Sequence, residues 1–332
     1  VELPQTYVID KFYTYSTKVK QYSHSLNGCC PICREGKSWN KKTRLFYFLN
    51  DDYLYCHNCS RSWSPVFWLK EVSGMSFKEI RKDVEDNGHD VKYTFVVNSE
   101  SSDYNIDVPT LPGECVNLKD DLQLNYFRKQ KAVNIAKEYC IERRLFTALN
   151  APKTYYCCLN ERYHGNRLII PYYNDMDKIE SYISRKILST DTKIKYLCKF
   201  GTDKPIFNLH KVDENYPYLF IFEGQIDSMF VKNGIAISGT HLTTEQNDIL
   251  IKMFPFHKRI WIFDNYRFEK KEVLKIIKNK LKKEECVFLY NDVFSEFKDL
   301  NEFCVKKEQD FVDPALIIDS SFSGQKGILK IQ

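Results

Sequence analysis

Two cysteine pairs constrain this chain more than anything else in it. Cys30 and Cys33 frame CPIC, Cys56 and Cys59 frame CHNC, and 22 residues separate the pairs. Each C-x-x-C can turn two thiolates toward one cation through a tight knuckle, and two pairs complete a tetrahedron of sulfur. A site of four sulfurs is closed, so the spacing predicts a structural Zn2+ rather than a catalytic one. Between the pairs, RLFYFLN and DYLYC read as two strands about a polar Asp-Asp turn, the pattern of a zinc ribbon. Cys29 and His57 adjoin the ligands and could substitute for one, but the set is complete without them. The alternative, four unrelated buried cysteines, would have to reach ligand spacing twice by chance. Zinc would contribute on the order of 10 kcal/mol to the folding of so small a module.

The cysteine total of 12 could suggest a secreted disulfide scaffold, but that reading belongs to short chains without a core. A chain of 332 residues has room for two or three domains, so reduced thiols are expected. No apolar run approaches a membrane span and no signal-peptide pattern opens the sequence, so a soluble cytoplasmic protein without membrane contact is expected. Lysine and arginine total 49 against 44 acids, a net charge of +5, which suits phosphate partners without requiring them. In the ribbon, Arg34, Lys37, Lys41, Lys42 and Arg44 are interleaved with Trp39, Phe46, Tyr47, Tyr53 and Tyr55. Cations beside aromatics suit single-stranded nucleic acid, with Arg34, Lys37, Trp39 and Arg44 as the candidate contacts. Part of that aromatic set could equally pack the ribbon itself.

Periodicity divides the chain into a ribbon domain (1–88), a polar linker (89–115), a mixed α/β part (116–213), a parallel-sheet part (214–310) and a loosely held tail (311–332). VKYTFVV, within the linker, could pair as a short strand. A helical stretch is expected near 125–145, and a hairpin from NRLIIPYYN and IESYISRKI. YLFIFEG, GIAISG, RIWIFDN and CVFLYND then alternate with helical stretches, the signature of a parallel sheet in an α/β fold.

Ligands of such sheets collect beyond the carboxyl ends of the strands. Glu223 ends YLFIFEG, Asp264 ends RIWIFDN, and Asp299 follows CVFLYND, so all three would reach one rim. Clustered carboxylates repel unless a cation neutralises them, and Mg2+ with substrate phosphates is the usual solution. Strand-end acids also serve as plain helix caps, and Asp227 is read as a residue that orients its turn. Arg167, Arg185 and Lys195, spaced along the β-rich segment, could hold a triphosphate, or be ordinary solvated cations.

The ribbon, GMSFKEIRKDV, RLIIPYYN, IESYISRKI, KYL, FEGQIDSMFVKNGIAISG, FDN and KDLNE, in this order, resemble DnaG-type primases, most closely those of T-even bacteriophages. The resemblance implies a zinc ribbon, a linker and an RNA-polymerase core containing a TOPRIM sheet. It implies synthesis of short RNA primers on a single-stranded DNA template from ribonucleoside triphosphates, by a nucleotidyltransferase. Glu223, Asp264 and Asp299 match the family's Mg2+-binding catalytic acids, and Arg167, Arg185 and Lys195 its nucleotide- and template-binding segments. A hexameric replicative helicase on a separate chain (no P-loop motif occurs here) and a single-stranded-DNA-binding protein are the implied partners. Where the family has a second acid two residues after the first, this chain has Tyr266, with Asn265 between and Glu269 further on. Two rival readings therefore stay open: a catalytically inactive protein that binds single-stranded DNA and recruits helicase, and a TOPRIM nuclease or topoisomerase.

Overall fold

The computed structural model describes residues 3–34, 39–59, 61–88, 111–188, 194–200, 202, 204–268, 271–291 and 293–331. Two compact units emerge, 1–109 with 190–203, and 110–189 with 204–332. The VKYTFVV stretch lies outside the described residues.

In the first unit, α1 (Gln5–Tyr15) precedes an antiparallel sheet of β1 (Lys20–Gln21), β2 (Ser25–Gly28), β3 (Leu45–Phe48), β4 (Tyr53–Cys56) and β5 (Ser62–Trp63), paired in chain order. Alternation along β3 turns Leu45 and Tyr47 into the core and leaves Phe46 and Phe48 half-exposed. Helix α2 (Pro65–Ser73) begins with proline, whose missing N–H costs nothing in a first turn, and stops at Gly74, where a φ of 73° suits glycine. Helix α3 (Phe77–Asp86) starts from a capping box between Ser76 and Glu79 and buries Ile80 and Val84. Phe12, Leu26, Leu45, Trp63 and Trp68 close one core between sheet and helices.

The second unit opens with β6 (Cys115–Asn117), α4 (Asp121–Tyr126) and α5 (Lys131–Glu142). With β6, strands β7 (Tyr156–Cys158), β8 (Arg167–Tyr173) and β9 (Ile179–Lys186) make an antiparallel sheet of order β9-β8-β7-β6. A further strand, β10 (Tyr196–Cys198), falls in the stretch that groups with the first unit.

Next come β11 (Tyr218–Phe222), α6 (Gln225–Ser228), β12 (Gly234–Ala236), α7 (Thr244–Met253), β13 (Lys258–Ile262), α8 (Lys271–Lys282), β14 (Cys286–Phe288) and α9 (Leu300–Lys306). The last elements are α10 (Pro314–Asp319), β15 (Ser321–Phe322) and α11 (Gly324–Lys330). The sheet order is β12-β11-β13-β14-β15, the first four strands parallel and β15 antiparallel to β14. Buried Leu219, Ile221, Ile235, Trp261 and Val287 form a core with α7 and α8, as a sheet covered by helices requires. The crossover from α6 to β12 is so tight that a Cβ on Gly234 would stand 2.3 Å from the Ser228 carbonyl oxygen.

The segment 311–332 is expected as a loosely held tail, but its described residues, 311–331, fold instead. β15 joins the sheet, Phe322 and Ile328 pack on the core with buried Ile331, and Gly327 lies directly against Leu281 of α8. The apolar residues of FSGQKGILKIQ supply the burial that anchors it.

Candidate functional site

The first candidate centre is built by the two hairpin knuckles. The ligand atoms of Cys30, Cys33, Cys56 and Cys59 all lie within 4.8 Å of one another, and among the described residues this is the one such group. Both thiols of Cys30 and Cys56 are pushed up, Cys30 first by its hydrogen bond with Cys33 and Cys56 first by that with Cys30. Four sulfurs this crowded cannot all ionise without a cation, and the donor set fits Zn2+. Asn58 supports two of the sulfurs: its backbone N–H donates to Cys56 Sγ and its Nδ2 to Cys33 Sγ, each at 3.4 Å. Cys29 is turned away, donating to the Lys42 carbonyl at 3.4 Å. His57 meets Phe46 and Tyr55 edge-on, at 5.4 and 4.8 Å between ring centres. Neither neighbour belongs to the ligand set.

One face of the ribbon is aromatic. Phe46 stacks with Phe48 at 5.8 Å, Phe48 with Tyr53 at 4.9 Å, and Phe46 lies opposite Tyr55 across the ladder. Tyr47 faces inward and Tyr53 is nearly covered, so packing claims them. Arg34, Lys41 and Lys42 are exposed, Trp39 and Arg44 are half-buried, and the Arg44 guanidinium hydrogen-bonds Asn58 beside the cysteines. Lys37 lies outside the described residues. His57, weighed from the sequence only as a neighbour of the zinc ligands, belongs to this face, and so does Phe48, whose place strand alternation signals.

The second centre lies at the carboxyl rim of the parallel sheet. Glu223 directly follows β11 and is exposed, and the flank of Gly224 is open, with nothing within 4 Å of an added Cβ. Asp264 follows β13 by two residues and is half-buried. Asp299 is the N-cap of α9, its Oδ1 accepting the Glu302 N–H at 2.7 Å. Asp227, read from the sequence as a turn residue, joins them. Burial, then Asp299 and Asp264, push its carboxyl well above the usual range, opposed by the Asn301 N–H and Arg143. The buried Tyr290 phenol is raised by burial and then by the same three aspartates. The acids are spread more widely than the cysteines, and their ligand atoms do not close into a comparable group.

Asn265 and Tyr266 serve the scaffold. The Asn265 amide donates to the carbonyls of Ser295 and Phe297 at 3.2 and 2.9 Å, and its oxygen accepts the Arg267 N–H at 3.1 Å. Tyr266 packs on the sheet's core, and Glu269 lies outside the described residues.

The cations divide. Arg185 is half-buried with its guanidinium 4.9 Å from the Tyr139 ring, and Arg143 stands 5.8 Å from the same ring. Arg143, just past α5, had not been singled out; its Nη1 donates to Asn301 Oδ1 at 2.8 Å, one residue pair away from Asp227. Arg167 is only 5% exposed, its Nε donating to Ser184 Oγ at 3.1 Å. Its charge tolerates burial because polar atoms of β9 accept from it. Lys195 is exposed beside β10, in the stretch grouped with the first unit.

The DNA primase of Enterobacteria phage T4 is 26% identical to this chain over 262 residues, covering 71% of this chain and 68% of its own length. The chain is similar to a phage DNA primase. No protein-family model matches it. Among solved structures, the zinc-binding and RNA-polymerase domains of the Aquifex aeolicus primase align over 95% of this chain and 83% of theirs, at 16% identity and a TM-score of 0.36. The E. coli primase catalytic core aligns over 66% of this chain and 68% of its own, at 14% identity and a TM-score of 0.37. A DnaG primase catalytic domain bound to single-stranded DNA aligns over 64% and 66%, at 16% identity and a TM-score of 0.37. Scores this low leave the fold to be argued from the chain's own strands and helices.

Proposed function

We propose that this chain is a DNA primase, a nucleotidyltransferase that makes short RNA primers on single-stranded DNA from ribonucleoside triphosphates. The observation that supports the reading is that Asp264 and Asp299 act on the buried Asp227 carboxyl, while Glu223 directly follows the parallel strand beside that of Asp264, in a chain similar to a phage primase. Glu223, Asp264 and Asp299 would hold Mg2+, with Asp227 behind them; Mg2+ bound there would make the primer 3′-hydroxyl easier to deprotonate and offset the negative charge of the triphosphate. Arg185, with Arg143 alongside, would neutralise phosphate, and Lys195 would meet nucleotide or template from its own segment. Arg167, bonded to Ser184, would keep the β8–β9 hairpin in register, and a direct phosphate contact would require it to leave that bond.

The proposed division of labour gives template contact to the ribbon (1–88), through Arg34, Lys37, Trp39, Arg44 and the Phe46–Tyr55 face, and chemistry to 116–310. A replicative helicase on a separate chain, a single-stranded-DNA-binding protein and a place in the host cytoplasm complete the proposal. Among the described residues no helix is long and apolar enough to cross a membrane.

The test is a primed-product assay with single-stranded template, labelled ribonucleotides and Mg2+. Short RNA should form with the native chain and vanish in Glu223→Gln. If native protein makes none even with helicase present, yet binds template, the helicase-recruiting alternative is favoured; template cleavage in place of synthesis would favour a nuclease.

A further inference from the structure

Cys115 and Cys158 face each other across the β6–β7 ladder. Leu159 N–H donates to Glu114 O at 2.8 Å, and Leu118 N–H to Tyr155 O at 2.9 Å. Hydrogen-bonded and non-hydrogen-bonded pairs alternate along an antiparallel ladder, so Cys115 and Cys158 occupy a non-hydrogen-bonded pair. Cα atoms at such pairs approach to about 4.5 Å and their side chains lean together, within the span a disulfide needs. The thiols converge on one acceptor: Cys115 Sγ donates to the Pro112 carbonyl at 3.0 Å and Cys158 Sγ to the same oxygen at 3.1 Å. Cys157, one residue away, turns to the opposite face as the pleat requires.

We propose that Cys115 and Cys158 form a reversible oxidation site, closing a disulfide in exchange with a small-molecule disulfide such as oxidised glutathione. Cys115 is half-exposed and Cys158 buried, so the reagent meets Cys115 first and Cys158 resolves the adduct. The Cys115 thiolate attacks oxidised glutathione, its S–S bond breaks, and one glutathione thiol leaves. Cys158 then attacks the mixed disulfide at the Cys115 sulfur and expels the second. Two S–H bonds are lost and one S–S bond is formed; both protons and both electrons end on two molecules of glutathione. The hydrogen bond with Cys158 and burial hold the Cys115 thiol up, so the exchange is slow at neutral pH and quicker under mildly alkaline conditions. The closed loop contains α4, α5 and Arg143, so oxidation braces the segment that presents that arginine to the aspartates. The proposal is independent of whether the chain primes.

The test incubates the zinc-loaded full chain with oxidised glutathione at mildly alkaline pH, blocks remaining thiols by alkylation, and maps disulfides by mass spectrometry before and after dithiothreitol. A reducible peptide joining Cys115 to Cys158 is expected, with zinc retained and a melting temperature higher by roughly 5–10 °C. Cys115→Ser should lose the cross-link and the thermal gain, while melting near the reduced native chain in dithiothreitol. The proposal is overturned if both cysteines are alkylated separately at every oxidant ratio, if Cys115 stops at the glutathione adduct, or if the disulfides found involve only the ribbon cysteines.

Discussion

The Asp227 carboxylate accepts the backbone N–H of Asn301 at 2.9 Å, and Asn301 is itself clasped by Arg143, donating to its carbonyl and accepting from its guanidinium at 2.8 Å each. An acid at the start of α6 is thus pinned from α9 by a residue that a cation holds still. Burial and two neighbouring aspartates disfavour its charge. Asp227→Asn keeps the acceptor and removes the charge. Because the folded carboxyl is raised, the native chain loses stability as pH climbs above the ordinary aspartate range, and the variant does not. Without divalent ions the variant should melt at or above the native temperature at neutral pH, while primer synthesis falls roughly 100-fold. Thermal melts across pH beside primer assays check both; a lower melting temperature at neutral pH would contradict the electrostatic account.

His164 supplies a pH dependence of the opposite sign. Burial, and then Arg167, push its imidazole down to about 3. The unfolded chain takes up a proton near the ordinary histidine value and the folded chain does not. Its stabilising contribution is therefore complete above about pH 6.5 and is lost at up to ~1.4 kcal/mol per pH unit as pH falls toward 3. Urea titrations between those limits should show this limb in the native chain and a flatter one in His164→Gln.

The four-cysteine site should bind one Zn2+ per chain. Cys56→Ser, or a strong chelator, should release it and unfold the first unit, because binding on the order of 10 kcal/mol is coupled to folding. Metal analysis with circular dichroism reads both changes; native protein without zinc would end this account of the ribbon.

Gly234→Ala should destabilise without touching the acids. The added Cβ would meet backbone oxygens of Ser228 at 2.3 Å and Val231 at 2.8 Å, atoms that cannot swing aside. A cost of about 1–3 kcal/mol, seen as a drop of roughly 5 °C in melting temperature, is expected.

On the ribbon, Phe46→Ala should weaken single-stranded template binding by about 1–3 kcal/mol, as for loss of one stacking platform. Fluorescence anisotropy measures it, and retained zinc separates lost contact from lost fold. Unchanged affinity would assign Phe46 to packing alone.

Spacing and alternation revealed the cysteine cluster and the strands that carry Glu223 and Asp264, because both patterns act locally. Position in the third dimension was less legible. Asp227 looked like a turn residue, and it is one, yet the same carboxylate meets two acids delivered from 37 and 72 positions further along the chain. Arg143 gave no cue beyond standing at a helix end, since its importance comes from α9, which packs there only in the folded chain. Arg167 resembled any strand-edge cation, and only the neighbouring β9 reveals that it is sunk against Ser184. The tail misled through its glycines and polar residues, while its few apolar side chains decided its place.

Asn265 is wholly buried, and both ends of its side-chain amide are engaged with backbone from 267 and from 295–297, while its own N–H reaches the Lys298 carbonyl at 2.8 Å. It stitches the loop of Asp264 to the loop that leads into Asp299. The span between those two carboxylates is consequently a property of the folded frame, not of whichever ion arrives. At the proposed Mg2+ site, such a frame would resist being opened for a larger ion that seeks extra oxygens, because its buried amide hydrogen bonds would have to part first.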